Sequence, residues 1–554
     1  MKNKHINLIF SILLGVLLFT SCNEDNFLDR YPKADPNPEN FFVDASSARK
    51  AVNAAYNPWT RSADMYERDL VILFDAMTDD SYWRPARSAS IQQERWDLKP
   101  TLGAINSYWT YAFRSINAAN FAIVNIPNST SSSFTEDMQA PYIAEARFLR
   151  GFSYMFLTSL FGDVPLLTRP VEGLDEFNQR RVAKDTIYQQ IIADFQYAKD
   201  NLPTEQPDAP GAVTKATAAA YLAKAYLYME DYANSETAGK DAVQIAESTG
   251  YHLVDDYLSI WDESNEGNPE LLFYIGYIPD VDGYGQNMTV QRICRDLPPE
   301  LVSIAGGAGW GYALPQRDLY DAFEEGDPRR GYTMYAPGDV YGKYNGAEPF
   351  TYTHKDYGSN GEINEWTTTY NSGDDVIYDY RWSPTGMNVR KMTSSLANLT
   401  NVRWSGQDVP IMRMSELYLN LAEALAEQGK EEALDWVDKV RARATVNMPP
   451  RTVGDGAIGD DNLVDIVRHE RRVELAMEGV RLFDLLRWKT LGDVFGDGTK
   501  VKRHFYSDFL SEDEANSKYD APALELPKNY LFPIPQDEID QNSEINSNNP
   551  GYDQ

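Results

Sequence analysis

The stretch from Asp461 to Lys489, DNLVDIVRHERRVELAMEGVRLFDLLRWK, restricts the fold more than any other part of the chain. Leu463, Ile466, Val467 and Met477 recur near one face at helical spacing, Gly479 offers a left-handed stop, and Arg481 to Trp488 reads as a second helix. Glu470, Glu474 and Glu478 are successive (i, i+4) neighbours, and each such like-charge pair costs roughly 0.2–0.5 kcal/mol on an isolated helix. The row therefore needs cations to offset it. Arg471, Arg472, Arg481 and Arg487 are nearest in sequence, and guanidinium forks suit partly buried carboxylates. The interleaved Leu482, Phe483, Leu485, Leu486 and Trp488 leave little purely polar face. The stretch reads as a fixed ion-pair lattice under a helical scaffold rather than as a solvated charged helix.

The first residues and the charge bound the setting. Lys2 and Lys4 precede an apolar run, Ile6 to Phe19, broken only by Asn7, Ser11 and Gly15. The run is too short and one-sided to span a membrane and reads as a secretory signal. It ends at LLFTSC, where Thr20 and Ser21 before Cys22 resemble a bacterial lipobox, with Phe19 in the place usually held by Leu. On that reading residues 1–21 are the signal peptide and Cys22 carries the lipid, which holds the protein on a membrane without spanning it. Cys294 is then the one cysteine left, so no intrachain disulfide forms, and it is expected to be a small buried apolar residue. The five histidines make no metal pair at helical or hairpin spacing. A formal net charge of −32 argues against nucleic acid as a partner. Glu24 and Asp25, directly after Cys22, resemble tags that send lipoproteins to the outer face of the outer membrane.

After an extended tether at Asn23 to Asn40, helices are expected over Ala45–Arg61, Met65–Met77, Leu102–Ile126 and Gln139–Leu160. Leu149, Phe152, Phe156 and Leu160 share one face of the last. Val213 to Met229 is alanine-rich, with Ala219, Leu222, Ala223 and Tyr226 at i, i+3, i+4, i+7. A second helix after Asp231 and Tyr232 turns Ala238, Ala242, Ile245 and Ala246 inward. Small residues let paired helices approach closely, as in tetratricopeptide hairpins. Met414–Glu427 and Glu431–Ala444 repeat the arrangement around Gly429, at no fixed period. Between the pairs, Leu271 to Gln407 is a quarter of the chain and holds nearly half of its 35 glycines. Such a segment forms short strands and long loops, not a bundle. The expected fold class is mainly α: one domain over 22–554, with a helical-pair scaffold at about 41–270 and 408–554 and a loop-rich, aromatic insertion at about 271–407.

Six motifs in order give a resemblance that covers nearly the whole mature chain. They are FLDRYP (Phe27–Pro32), RFLRGFSYMFLTSLFGDVPL (Arg147–Leu166), VTKATAAAYLAKAYLY (Val213–Tyr228), RMSELYLNLAEAL (Arg413–Leu425), ERRVELAMEGVRLFDLLRW (Glu470–Trp488), and PIPQDEI with NNPGY near the end. Behind a lipobox, this set resembles the SusD/RagB family of outer-membrane nutrient-binding lipoproteins. Gly151 stands where the family usually has Ala, and Met155 where an aromatic is common. The resemblance implies an extracellular lid on a SusC-like TonB-dependent transporter. The lid captures oligo- or polysaccharide and delivers it to the pore, while the helical-pair face docks on the transporter.

Sugar rings stack their C–H faces on Trp and Tyr, and their hydroxyls take hydrogen bonds from polar side chains. Trp83, in DDSYWRP between charges and before a proline, is expected at the surface. The family draws a stacking aromatic from this loop, so that role passes to Trp83, with Trp96 as substitute. Trp310 and Tyr312 lie in GGAGWGYALP, where glycines offer no side chains to cover them. Trp382 in YDYRWSP and Trp366 in NGEINEWTT are further candidates, and Arg84, Asp80 and Asn287 are candidate hydrogen-bonding groups. For each aromatic, packing within its own segment is the competing reading. Trp109 recurs with Phe113 and Ile116 on a helix and is expected in the core. No nucleophile elbow, P-loop or dinucleotide fingerprint is present, and the 83 Asp and Glu residues single out no catalytic pair. No catalysis and no cofactor is expected. The Asp-rich loop Gly373 to Asp379 has oxygens that suit calcium, without EF-hand spacing. The reading is a glycan-binding lid on the cell surface; its rivals are the same lid for peptides or another nutrient, and a polysaccharide-degrading enzyme.

Overall fold

The computed structural model describes residues 42–552, apart from 61–63, 84–87, 130, 172, 174–175, 208, 279–291, 293–308, 345, 358–362, 394–403, 458–461 and 497–523. The signal segment, Cys22, the tether, Arg84, Asn287 and Cys294 lie outside the described residues.

The chain is mainly α, and among the described residues its strands form only two-stranded pairs. In chain order the scaffold helices are α1 (Ala45–Thr60), α2 (Leu70–Ala76), α3 (Gly103–Asn125), α4 (Glu136–Phe161), α5 (Lys184–Asn201), α6 (Lys215–Tyr228) and α7 (Tyr232–Ser248). After the insertion come α8 (Met414–Ala426), α9 (Ala433–Arg441), α10 (Leu463–Glu474) and α11 (Arg481–Trp488). The helix expected from Met65 begins only at Leu70, because residues 64–69 form turns. On α4, Leu149, Phe152, Phe156 and Leu160 are all buried. Trp59 of α1 sets its indole edge-on to Phe152 at 4.8 Å and to Phe156 at 5.1 Å. Gly162, at φ 71°, stops α4 in a conformation that disfavours any side chain.

The paired helices form as their caps and small residues dictate. Thr214 accepts from the Thr217 N–H and the Thr217 hydroxyl accepts in return, closing a capping box on α6; Asp231 caps α7 through the Asn234 N–H. The inward face of α7 runs through Gly239, Ala242, Val243 and Ala246, whereas Ala238 and Ile245 are half-buried. Gly239 meets α8 so closely that a Cβ there would lie 3.2 Å from Leu421 Cδ1. The insertion begins as strand β2 (Leu271–Ile275) and ends as strand β6 (Val409–Arg413), and these two pair antiparallel, Leu271 opposite Arg413 and Val409 opposite Ile275. Between them lie β3 (Leu314–Pro315), a long hairpin of β4 (Phe350–Tyr357) and β5 (Ile363–Tyr370), and a small aromatic core of its own around Tyr335, Tyr341, Tyr378 and Trp382.

The acidic row is offset, but chiefly not by its neighbours in sequence. Helix α10 ends at Glu474, and Met477 itself takes a left-handed φ of 63° ahead of Gly479, so Met477 and Glu478 leave the helical face expected for them. Glu470 accepts from Arg329 and from Arg441 Nη1 (2.9 Å). Glu474 accepts from Arg413 Nη1 (2.6 Å), Arg443 Nη2 (3.1 Å) and Arg329 Nη1 (3.2 Å). Glu478 takes Arg413 at 2.8 Å and Lys391 Nζ at 2.8 Å. Arg471 and Arg487 turn instead to Asp484 and Glu423, and Arg472 and Arg481 to Asp79 and Asp80. Burial of this many charges is tolerable because Glu470, Glu474, Glu478, Glu423, Asp484 and Asp79 are each bonded at both oxygens or by several donors. The lattice spans the join between scaffold and insertion, since Arg329 and Lys391 belong to the insertion.

Candidate functional site

Strand β1 (Ser81–Tyr82) pairs antiparallel with β3, Ser81 opposite Pro315 and Tyr82 opposite Leu314. Gln316 fastens the same junction, its N–H donating to the Asp80 carbonyl and its side-chain amide to the Ser81 carbonyl. Just beyond this pairing Trp83 stacks on Tyr312, with ring centroids 4.6 Å apart and planes within 16°. Trp310 meets Tyr312 edge-on at 5.9 Å and 62°. Left-handed backbone flanks Tyr312 on both sides, at Gly311 (φ 61°) and Ala313 (φ 52°). Trp83 and Tyr312 are 1% and 2% exposed, while Trp310 is 44% exposed. The three rings thus form a supported aromatic surface in which two buried rings back one that faces solvent.

This arrangement corrects the expectation that Trp83 would lie at the surface. Asp79 and Asp80 before it turn away into pairs with Arg472 and Arg481, and the ring that covers it comes from more than 200 residues away, so no local pattern announces it. Trp96 is also buried, its Nε1 donating to the Met77 carbonyl at 3.1 Å and its ring edge-on to Phe495. Trp382 fills the insertion's own core, edge-on to Tyr378 at 5.3 Å, with Nε1 donating to the Tyr352 hydroxyl. Of the six aromatic candidates for stacking, Trp310 and Trp366 are exposed. Trp366 is 48% exposed on the hairpin, opposite His354, and is not brought to Trp310 by any strand pairing. Arg84 and Asn287 lie outside the described residues. Trp109 is buried, its Nε1 donating to Glu538.

Asp80 is buried rather than offered to a ligand. Its Oδ1 accepts from Arg472 Nε at 2.8 Å, and its Oδ2 has no hydrogen-bond partner among the described residues. Burial pushes its carboxyl above the ordinary range, and Asp79 adds to the push against the pull of Arg472. At Asp79 burial acts the same way, but Arg472 and Arg481 together outweigh it and hold the carboxyl down at about 2. The segment that positions Trp83 is therefore tied to α10 and α11 by two arginines. Arg472 thus joins the lattice to the segment that carries Trp83.

Among the described residues no group of three or more His, Cys, Asp or Glu side chains is arranged to hold a metal ion. In the Gly373 to Asp379 loop, Asp374 accepts from Asn371, Asp375 pairs with Lys343 and Asp379 pairs with Arg381. Among the described residues no helix is long and apolar enough to cross a membrane.

Comparison with known proteins adds to this geometry. The profile described as the SusD family matches residues 269–552, and one described as "Starch-binding associating with outer membrane" matches residues 26–227. The chain is similar to SusD-like protein P2 of Formosa agariphila, at 28% identity over 99% of this chain and 100% of that protein. It is similar also to a SusD-like protein of Bacteroides ovatus, at 26% identity over 96% and 92%. Among solved structures, a SusD-like carbohydrate-binding protein from Bacteroides fragilis superposes with a TM-score of 0.69 at 24% identity, covering 91% of this chain and 99% of that one. A laminarin-binding SusD-like protein does so with a TM-score of 0.69 at 23% identity, over 92% and 100%. At these identities the superpositions establish the shared fold.

Proposed function

The chain belongs to the SusD family, and from that premise we propose that it is a cell-surface glycan-binding lipoprotein that captures oligo- or polysaccharide and passes it to a TonB-dependent transporter. The observation that carries the reading is the supported ring surface: Trp310 is exposed, and the buried Tyr312 and Trp83 fix its seat. A flat ring held by its neighbours loses little entropy when a sugar stacks on it. Relatives named for carbohydrate and laminarin binding support the class of ligand. The description of outer-membrane association supports the location, with Cys22 as the lipidated residue and the extracellular face as its side. Capture without chemistry fits the carboxylates of the Trp83 segment, Asp79 and Asp80, which are buried in arginine pairs.

Calorimetric titration of the purified protein against a panel of polysaccharides, with chromatography of each mixture, tests this. Saturable heat with no shortening of the polymer is expected. Shortened chains would make the protein an enzyme, and silence toward every glycan would end the glycan reading.

A further inference from the structure

Two cavities meet in the scaffold, walled by residues outside the Trp310 surface. The inner one, about 70 Å³, is lined mostly by apolar and aromatic residues, Phe152, Met155, Phe156, Tyr221 and Phe483 among them, with Lys224 and Glu478 as its charged members. That is well above the roughly 10–15 Å³ that one water needs. The outer one, about 280 Å³, opens between the end of α4, the start of α5, the end of α11 and the C-terminal segment at Tyr530 and Leu531. Ser159, Tyr228 and Phe483 line both, so the two form one cleft with an aromatic floor and a polar mouth. Phe483 is only half-buried although it sits edge-on to the core ring Phe74, which leaves apolar surface wet inside the molecule.

The charges at the mouth are unevenly spoken for. Arg487 is committed to Glu423 and Asp484, and on the inner wall Lys224 is committed to Glu416 at 2.7 Å. Lys184 and Lys489 have no ion-pair partner among the described residues; the Lys184 ammonium lies 5.5 Å over the Tyr188 ring. Among the described residues Glu230 is the one carboxylate lining the mouth, and Asp163 and Asp185 stand near Lys184. Lys489 is held in place by a left-handed backbone (φ 58°) and by the Tyr530 hydroxyl, which donates to its carbonyl at 2.6 Å. The chain's overall negative charge acts here only weakly, because fields from beyond about 8–10 Å are screened at physiological salt.

We propose that this cleft binds a small amphipathic monocarboxylate, with its apolar body in the aromatic cavity and its carboxylate between Lys184 and Lys489. The apolar part displaces water from surface that has no better cover, and the head supplies the anion that the two ammonium groups lack. Burial holds the Lys184 ammonium below its ordinary pKa, and Lys489 pushes the same way against the pull of Asp185, Glu230 and Asp163, so a bound anion relieves the site. The site stands apart from the glycan reading and is tested separately.

Octanoate and 3-phenylpropanoate serve as probes, one slender and one flat, with octylamine and 3-phenylpropylamine as controls of opposite charge. Calorimetry is expected to show saturable binding of at least one carboxylate at one per chain, a raised Tm, and no binding of the amines. Lys489→Glu, at an exposed position, is expected to weaken carboxylate binding tenfold or more, and Lys184→Arg to retain it. Met155→Trp, which fills the floor, is expected to weaken it as much, provided that the circular dichroism and Tm of the variant match the parent. Absence of saturable carboxylate binding, equal binding of the amines, or carboxylate binding that Lys489→Glu leaves unchanged overturns the proposal.

Discussion

At the scale of single residues, exposure separates rings that the sequence could not rank. Trp310→Ala removes the exposed ring while leaving Tyr312 and Trp83 packed, so glycan affinity should fall tenfold or more, about 1.4 kcal/mol or above, with little change in Tm. Trp83→Ala removes the buried support instead. It should cost about 3–5 kcal/mol of stability in denaturant titration and weaken glycan binding as a consequence. If Trp310→Ala bound glycan as the parent does, the ligand surface would lie elsewhere. The glycines around Trp310 made its exposure legible in the sequence, because they carry nothing to cover it. The same logic misplaced Trp83, since charged neighbours say nothing about a strand partner from a distant segment. Trp382 was illegible for another reason: the insertion has a core of its own, and the sequence alone gave no way to tell its interior rings from its surface ones.

At the scale of elements, the acidic row of α10 shows what local charge patterning conveys. That Glu470, Glu474 and Glu478 needed cations followed from their spacing. Which cations they found did not, because Arg329, Arg413 and Arg443 come from other elements. Glu474→Ala leaves three buried guanidinium groups short of an acceptor and should cost about 3–5 kcal/mol by denaturant titration. Its effect on the glycan affinity of the folded fraction should be small, since Glu474 touches neither Trp310 nor its supporting rings. The lattice also sets a pH limit. Burial opposes the charges of Asp79 and Asp484, but Arg472 and Arg481 hold the first at about 2, and Arg471 and Arg487 hold the second at about 2. Both lie below the ordinary value of 3.8, so their stabilisation is present in full above pH 4 or so and is lost as pH falls toward 2. Urea midpoints should accordingly drop steeply as the pH falls below 4. A flat profile down to pH 3 would mean that these pairs contribute nothing net.

For the whole molecule, the helix pairs and the ordered motifs made the architecture legible, because amphipathic spacing and small-residue faces are local properties. On the proposed function, attachment to the membrane is a whole-chain property that rests on one atom, the sulfur of Cys22. Cys22→Ala should move the protein from the membrane fraction to the soluble fraction on cell fractionation; retention in the membrane would refute the lipid anchor. The pairing of β2 with β6 carries a consequence of another kind. It acts as a clasp at the base of the insertion, holding the two ends together whatever lies between them. Once a loop's ends are fixed, each doubling of its length adds only about 0.6 kcal/mol of closure entropy. Lineages can therefore lengthen, shorten or exchange the contents of the clasp with little penalty to the scaffold. The condition is that the replacement keeps the charges that dock on the scaffold, among them Arg292, Glu324, Arg329 and Lys391. On the proposed function, a change of cargo is a grafting problem, with the clasp and those charges among the graft's fixed points.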